Sequence, residues 1–444
     1  MPQSLFSIWP DFGFSANPYN QETLTADAVG DELLVGRDSE SARLQRLIGT
    51  DGSFPTVEGS IGVGKSSLLE VSAYRMRKAC LNSPSGELYV PAVSRLQPGT
   101  DAESFEFDAL RVIAQTLIRY ADDFEQVGMF RPKVDELDRW LNASMFRHHE
   151  GGGQVLGVGA NWGSGEDANT SEGYSRSGFP TAIRQLLEES FDGQRGGIVI
   201  ILDNLELLET VGAARRSLDL LRDTVFNLPH VRWVLSGSRG IVSRARSERL
   251  SGVFQAPLVL RPLDDRQAVA AIQKRIESFG GPSAAAPVTP RGFAYLYQAL
   301  NSNLRESLAT AQQFAQWLHE EFVVSGRGVP SPEDCDAYLE SWLLERAESA
   351  FADAGRVQAR NWQFFEELCR ADGRAGSSDW ERFGFGVQQQ MVGAVTQLSE
   401  VNLVSRETDP DDGTKTVNSV TPLGWLVYFF RSRFRFPAAR EARS

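Results

Sequence analysis

Cysteine and histidine are scarce in this chain of 444 residues, limited to Cys80, Cys335 and Cys369 and to His148, His149, His230 and His319, with no His at ligand spacing from a Cys. An odd, scattered cysteine set excludes a disulfide scaffold, and the missing Cys/His spacing argues against a zinc site. Lysine is reduced to Lys65, Lys78, Lys133, Lys274 and Lys415, so most positive charge is arginine, a bias that marks no site by itself. Positive charge is in deficit overall, with 45 Lys and Arg against 58 Asp and Glu for a net −13. That balance excludes a protein that coats nucleic acid by bulk electrostatics and leaves room only for a local basic patch. Long apolar runs are absent too. The start, MPQSLFSIWPDFGF, has neither a basic n-region nor an apolar h-region, and Leu423 to Phe430 is too short to span a bilayer, so a cytoplasmic chain without membrane contact is expected. No unit of 20–50 residues recurs, which removes solenoids and propellers. What remains is an ordinary globular composition, 41% hydrophobic and 23% charged, in a length that suits about three domains.

From Phe54 the chain reads as a strand, a glycine-rich turn and a helix whose apolar face carries Leu68, Leu69, Val71 and Met76. Further β-like runs at Leu88–Val93, Ile198–Leu202, Val231–Leu235 and Pro257–Leu260, with helical patterns between them, predict an α/β core with a parallel sheet over residues 30–261, behind an N-terminal extension at 1–29. An insertion at about 101–180 separates the second and third strands. Its first part, Ala102 to Arg147, reads as helical. Its second part, Gly151 to Gly178, is rich in glycine and reads either as a partner-facing loop or as a solvated surface loop. Residues 262–352 read as a helical lid with an internal loop at Gly280–Pro290. From Asn361 the order is helix, polar turn, short helix near Trp380, longer helix (Val387–Leu398) and two strands (Leu403–Glu407, Lys415–Thr421), which predicts a winged helix within 353–444.

The chemistry is concentrated in Gly59-Ser60-Ile61-Gly62-Val63-Gly64-Lys65-Ser66, which fits G-x-x-x-x-G-K-[ST] between a strand and a helix. Glycines let backbone N–H groups turn inward around a phosphate, the helix N-terminus adds partial positive charge, Lys65 neutralises β- and γ-oxygens, and the Ser66 hydroxyl reaches Mg²⁺. Ser67 follows within the same turn. Ile198 to Leu202 is an apolar strand ending in Asp203, a carboxylate placed to hold a Mg²⁺-bound water. ATP and Mg²⁺ are the expected ligands. Hydrolysis needs a second group to orient and deprotonate water. Here Asn204 follows Asp203 and the next acid is Glu206. Val231 to Leu235 runs into Ser236-Gly237-Ser238-Arg239, which puts hydroxyls and Arg239 at another strand end, and Arg249 is a candidate cation for a neighbouring subunit's nucleotide.

With these motifs in place, the chain resembles the AAA+ branch that includes archaeal and eukaryotic replication initiators and the prokaryotic STAND-type switch ATPases, over about residues 16–438. The resemblance assigns LVGRD (Leu34 to Asp38, with Val35, Gly36 and Arg37) to the segment bordering adenine. It assigns GSIGVGKSS to Walker A, IVIILDNLE to Walker B and LSGSR to the sensor 1 region. It assigns SNLRESL to a lid helix whose Arg305 fits sensor 2, and TPLGWLVYF to the end of a winged helix. Initiators normally carry an acid directly after the Walker B Asp; Asn204 departs from that and leaves Glu206 as the substitute.

The winged-helix region has ten Lys and Arg against eleven Asp and Glu over residues 361–444. Its longer helix carries Gln388, Gln389, Gln390 and Gln397 but no cation, the wing tip holds Asp409, Asp411 and Asp412 against Lys415, and Arg431, Arg433 and Arg435 form the basic run. The function expected is an ATP-binding and ATP-hydrolysing switch or assembly ATPase of slow turnover, acting with a partner or effector protein and as a homo-oligomer, in a setting such as bacterial defence or DNA maintenance. The alternatives are a DNA-binding initiator-like ATPase and an ATP-binding scaffold with little turnover.

Overall fold

The computed structural model describes residues 6–83, 86–98, 102–142, 178–208, 211–238, 240, 250, 252–408 and 416–433. A 3₁₀ turn (Trp9–Phe12) leads to α1 (Ala28–Leu33) and α2 (Asp38–Ile48). Then come β1 (Thr56–Gly59), α3 (Lys65–Asn82), β2 (Glu87–Pro91), α4 (Ala102–Arg119), α5 (Ala121–Gln126), α6 (Asp135–Asn142) and α7 (Gly178–Phe191). The core continues with β3 (Arg195–Leu202), a 3₁₀ turn (Leu205–Leu208), α8 (Val211–Asp223), β4 (Val231–Gly237) and β5 (Leu258–Leu260). The five strands pair in parallel in the order β2-β3-β4-β1-β5. β3 is buried from its second residue to its last, because strands flank it on both sides and helices cover both faces; its apolar run Ile198-Val-Ile-Ile-Leu202 follows from that position. The order sets β4 between β1 and β3. The C-terminal ends of these three strands therefore open side by side on one sheet edge.

The expected strands are all present with shifted ends. The insertion's helical part is α4 to α6, Gly178 opens α7, and the glycine-rich stretch before it lies outside the described residues. Trp233 of β4 is fully buried, with Phe226 at 5.2 Å and Phe105 at 6.3 Å between ring centroids, and its indole N–H donates to Val225 O at 3.2 Å.

Beyond the sheet the chain is helical: α9 (Asp265–Phe279), α10 (Pro290–Ala299), α11 (Leu304–Leu318), a π-helical turn (His319–Val324), α12 (Pro332–Asp353) and α13 (Ala359–Arg370). Local sequence sets their starts. Asp264 and Gln267 form a capping box at α9, Thr289 and Ser331 cap α10 and α12 with Pro at the next position, and Asn303 caps α11. Then β6 (Arg374–Gly376), α14 (Gln388–Glu400), β7 (Val404–Thr408), β8 (Thr416–Val420) and α15 (Pro422–Arg433) form an antiparallel sheet, β6-β8-β7, packed with helices in the order of a winged helix. β6 was not among the elements read from the sequence. Three residues are too few to show alternation, and this strand exists through its pairing with Val417–Ser419.

Apolar packing divides the molecule into two clusters. One runs from Leu34 to Leu260 around the parallel sheet. The other joins α9–α12 and α13–α15 in one continuous core and takes in Trp9, Phe12, Phe14 and Tyr19 from the N-terminal segment. Tyr295 of α10 meets Phe429 of α15 at 5.4 Å between centroids, and the Tyr19 hydroxyl donates to Val288 O at 2.7 Å.

Truncating Trp233 leaves a cavity between Phe105 and Phe226 and orphans Val225 O. Trp233→Ala is expected to lower unfolding stability by about 3–5 kcal/mol, measured by chemical denaturation. A change below about 1 kcal/mol would show that this ring is not part of a packed core.

Candidate nucleotide-binding site

The turn from β1 to α3 needs left-handed backbone at two places, Gly62 (φ +80°) and Gly64 (φ +93°), and both are glycine. The loop curls over its own carbonyls: Lys65 Nζ donates to Gly59 O at 3.1 Å and Ser60 O at 3.3 Å, with the side chain largely buried. Ser66, in the first turn of α3, donates its hydroxyl to Asp203 Oδ2 at 2.5 Å. Asp203 directly follows β3 and is 1% exposed. Parallel pairing across β4 thus brings together two residues 137 positions apart. Asn204 takes φ +58°, a left-handed conformation that Asn tolerates better than most residues, and its N–H donates to Asp203 Oδ1 at 3.0 Å. Glu206 follows within the 3₁₀ turn Leu205–Leu208. Ser236, also buried, lies in register with Val57 of β1, so the end of β4 stands between the loop and Asp203. Ser238 is buried next to it. Arg239 and Arg249 lie outside the described residues.

Two connected cavities flank the loop. The first, about 510 Å³ of empty volume partly open to solvent, is lined mainly by apolar side chains including Leu34, Val35, Val63, Leu263, Ile272 and Phe293. Its apolar lining suits a planar base. The second, about 600 Å³, is polar and includes Ile61, Gly62, Lys65, Ser66, Asn204 and Arg305. Gly64, Ser67, Arg275, Leu304 and Leu308 line both. An apolar end and a polar end joined at the loop match the two ends of a nucleotide.

Lid residues close this space from above. The N-terminus of α11 stands over the loop so tightly that a Cβ at Gly62 would lie 2.5 Å from Asn303 Oδ1 and 3.0 Å from Arg305 Cβ. Arg305 is exposed at the polar cavity, where the sensor 2 resemblance expects a cation. Arg37 lines the apolar cavity, but its guanidinium donates to Val63 O at 3.0 Å, Arg261 O at 2.8 Å and Glu40 at 3.2 Å. It braces the loop against the start of the lid, and burial lowers its pKa. Gly36 accepts from Gln267 through its carbonyl at 3.1 Å, a second link to α9.

Three residues escaped sequence reasoning. Arg275 of α9 is 8% exposed, borders both cavities, and donates to Asn20 O at 2.7 Å and Pro18 O at 3.5 Å. Burial alone pushes its pKa down to about 10. Arg95, after β2, places Nη1 3.1 Å from Asp203 Oδ2 and Nε 3.2 Å from Glu70 Oε1. Glu70 lies one turn beyond Ser66 on α3. Burial, opposed by Arg95 and reinforced by Asp203, raises its pKa to about 7. No motif contains these residues. The one available signal was a glutamate four positions after Ser66, on the helix face that Ser66 itself occupies.

A parallel sheet with β4 between β1 and β3, a glycine loop holding Lys65 and Ser66 against Asp203, a helical lid over the loop and a C-terminal winged helix define the fold of a P-loop nucleotide-binding protein. No family model and no curated protein matches the sequence. Among solved structures, the chain is similar to the ORC2 protein of Aeropyrum pernix in its ADP form, at 12% identity and TM-score 0.47 over 95% of this chain and 98% of that one. It is also similar to the A. pernix ORC1 protein in complex with DNA (16% identity, TM-score 0.40, 90% and 94% covered). A third is the Cdc6p of Pyrobaculum aerophilum (13% identity, TM-score 0.37, 94% and 97% covered).

Removing the Lys65 ammonium leaves the polar cavity without the cation at its centre. Lys65→Ala is expected to weaken ATP binding on the order of a hundredfold or more, read as loss of the calorimetric signal. Undiminished affinity in a variant that melts like wild type would sink the assignment of this loop to phosphate.

Proposed function

We propose that this chain is an ATP-binding and slowly ATP-hydrolysing AAA+-type switch or assembly ATPase. In this reading the core spans residues 30–261, the lid 262–352 and the winged-helix region 353–444. The observation that carries it is the seating of Asn303 and Arg305 of the lid directly on Gly62. Triphosphate bound at the loop would lie between core and lid, so its γ-phosphate bears on where the lid sits. The lid shares one apolar core with the winged helix, and the two move as a unit. Lys65, Ser66 and Asp203 hold the substrate phosphates and Mg²⁺; two oxygen donors 2.5 Å apart at the loop suit a hard cation that keeps waters and phosphate oxygens as its other ligands. When bound, Mg²⁺ would offset charge on the β- and γ-phosphates. Glu206 is the acid closest in sequence to serve as the base for water, with Asn204 positioning rather than deprotonating it.

The output is read by a protein partner. Two of the three arginines in the C-terminal basic run are occupied within the fold: Arg431 pairs with Glu366 at 2.9 Å and stacks on Trp362, and Arg433 lies 4.1 Å over the Phe429 ring. Arg435 and the wing tip, with Asp409, Asp411, Asp412 and Lys415, lie outside the described residues. The second reading, a DNA-binding initiator, is favoured by Gln388 and Gln389, both exposed at the start of α14, where they could meet base edges. Duplex titrations at two salt concentrations separate the readings. Negligible binding fits a protein partner; tight, salt-dependent binding that Gln388→Ala with Gln389→Ala abolishes replaces that reading with the initiator.

For turnover, Glu206→Gln is expected to cut steady-state phosphate release by roughly 10²-fold while ATP binding persists. A larger loss from Asn204→Ala than from Glu206→Gln would reverse the roles, and no release from wild type would leave a scaffold that binds without turnover.

A further inference from the structure

The carboxylate that the proposed site needs for its metal already has a cation on it. Arg95 sits on the segment after β2 that is tied to the end of β3 by Leu96 N to Ile201 O and Asp203 N to Leu96 O, both 2.9 Å. This tie fixes the Arg95 backbone beside Asp203. Its Nη1 lies 3.1 Å from Asp203 Oδ2, the same oxygen that accepts the Ser66 hydroxyl, and 3.4 Å from Thr23 Oγ1. Its Nε lies 3.2 Å from Glu70 Oε1. The Asp203 side chain is 2% exposed, that of Glu70 15% and that of Arg95 34%, so the guanidinium bridges a buried acid and a partly buried one while its outer side remains open to solvent.

A divalent ion bound directly to Oδ2 would repel the guanidinium that already contacts the same oxygen, and the burial of Asp203 weakens the screening between them. That repulsion favours separation of the two cations. Asp203 is held by strand pairing and cannot follow either cation, whereas Arg95 has a long side chain, a solvent-open side and a second acid already in contact.

We propose that Arg95 is a built-in counter-ion for Asp203 that withdraws towards Glu70 when Mg²⁺ arrives with nucleotide, so that the Arg95–Glu70 pair sets the Mg²⁺ concentration the site requires. Without metal, the guanidinium holds the Asp203 carboxylate in place. With metal, Glu70 keeps the displaced cation from being stranded. Both are positioning residues, since neither touches substrate. The inference rests on the proposed site, with Ser66 and Asp203 as the metal's protein ligands and Asp203 meeting the ion directly rather than through a bound water.

The test is calorimetry of a non-hydrolysable ATP analogue titrated with Mg²⁺ at pH 8 and fixed ionic strength, a binding measurement independent of turnover. Arg95→Gln removes the competitor and is expected to lower the half-saturating Mg²⁺ concentration on the order of tenfold. Glu70→Gln removes the refuge and is expected to raise it several-fold, and this increase should vanish in the Arg95→Gln background. Arg95→Lys, which keeps the charge but reaches only one acid at a time, gives an intermediate value and serves if Arg95→Gln does not fold. An unchanged or raised Mg²⁺ requirement in Arg95→Gln overturns the proposal. So does a Glu70→Gln effect of equal size in both backgrounds, because Glu70 would then act through its own charge. Failure of the underlying site would look different: wild-type affinity would not depend on Mg²⁺, or Asp203→Asn would leave that dependence unaltered.

Discussion

Much of this structure turns on one close approach, that of the lid helix α11 to Gly62. A left-handed backbone there lets the loop wrap inward, and the missing side chain leaves room for Asn303 and Arg305. With any larger residue the loop would keep its glycine at 64 and its lysine, yet the lid would stand off and the two cavities would lose their shared wall. The same glycine therefore serves both the turn of the loop and the seating of the lid helix.

What lies beyond the lid packs into the same apolar core. Helices α9–α12 and the winged-helix elements bury one continuous apolar cluster, closed by Tyr295 against Phe429 and by the aromatic N-terminal segment. That segment runs from the lid core, where Tyr19 is fully buried, past Arg275 and on to Ser67, whose hydroxyl accepts from Leu24 N at 3.1 Å. The chain's beginning is thus a strap across the site, fastened at one end to the lid and at the other to the helix that carries the phosphate loop. Arg275, buried and donating to the carbonyls of Pro18 and Asn20, sits at the seam between the apolar and the polar cavity.

Electrostatics in the metal region follow from sheet order. Because β4 separates β1 from β3, the end of β3 brings Asp203 into direct contact with Ser66, and the β2 edge next to β3 supplies Arg95 from the other side. Glu70 enters only because α3 packs across these strands. Burial then lifts its pKa towards neutrality while Arg95 holds it back, a balance that belongs to the packed arrangement and to no single element.

The sequence by itself determined the parts whose physics is local. Gly62, Gly64, Lys65 and Ser66 mark a phosphate loop because their spacing encodes a turn and a helix start, and the apolar run into Asp203 marks a doubly covered strand with a carboxylate at its end. The five-strand α/β core, the helical lid and the order of the winged helix were legible for the same reason, since periodicity and capping residues act within a few positions of themselves. Only the tertiary structure decided the rest. It brought Arg275, Arg95 and Glu70 to the site, gave Arg37 a bracing role through Val63 O and Arg261 O, paired Arg431 with Glu366, made a strand of Arg374–Gly376, and merged the N-terminal segment with the lid. Each of these depends on groups tens to hundreds of positions apart meeting in a space that water leaves, and such a meeting has no periodicity or spacing to announce it in the chain.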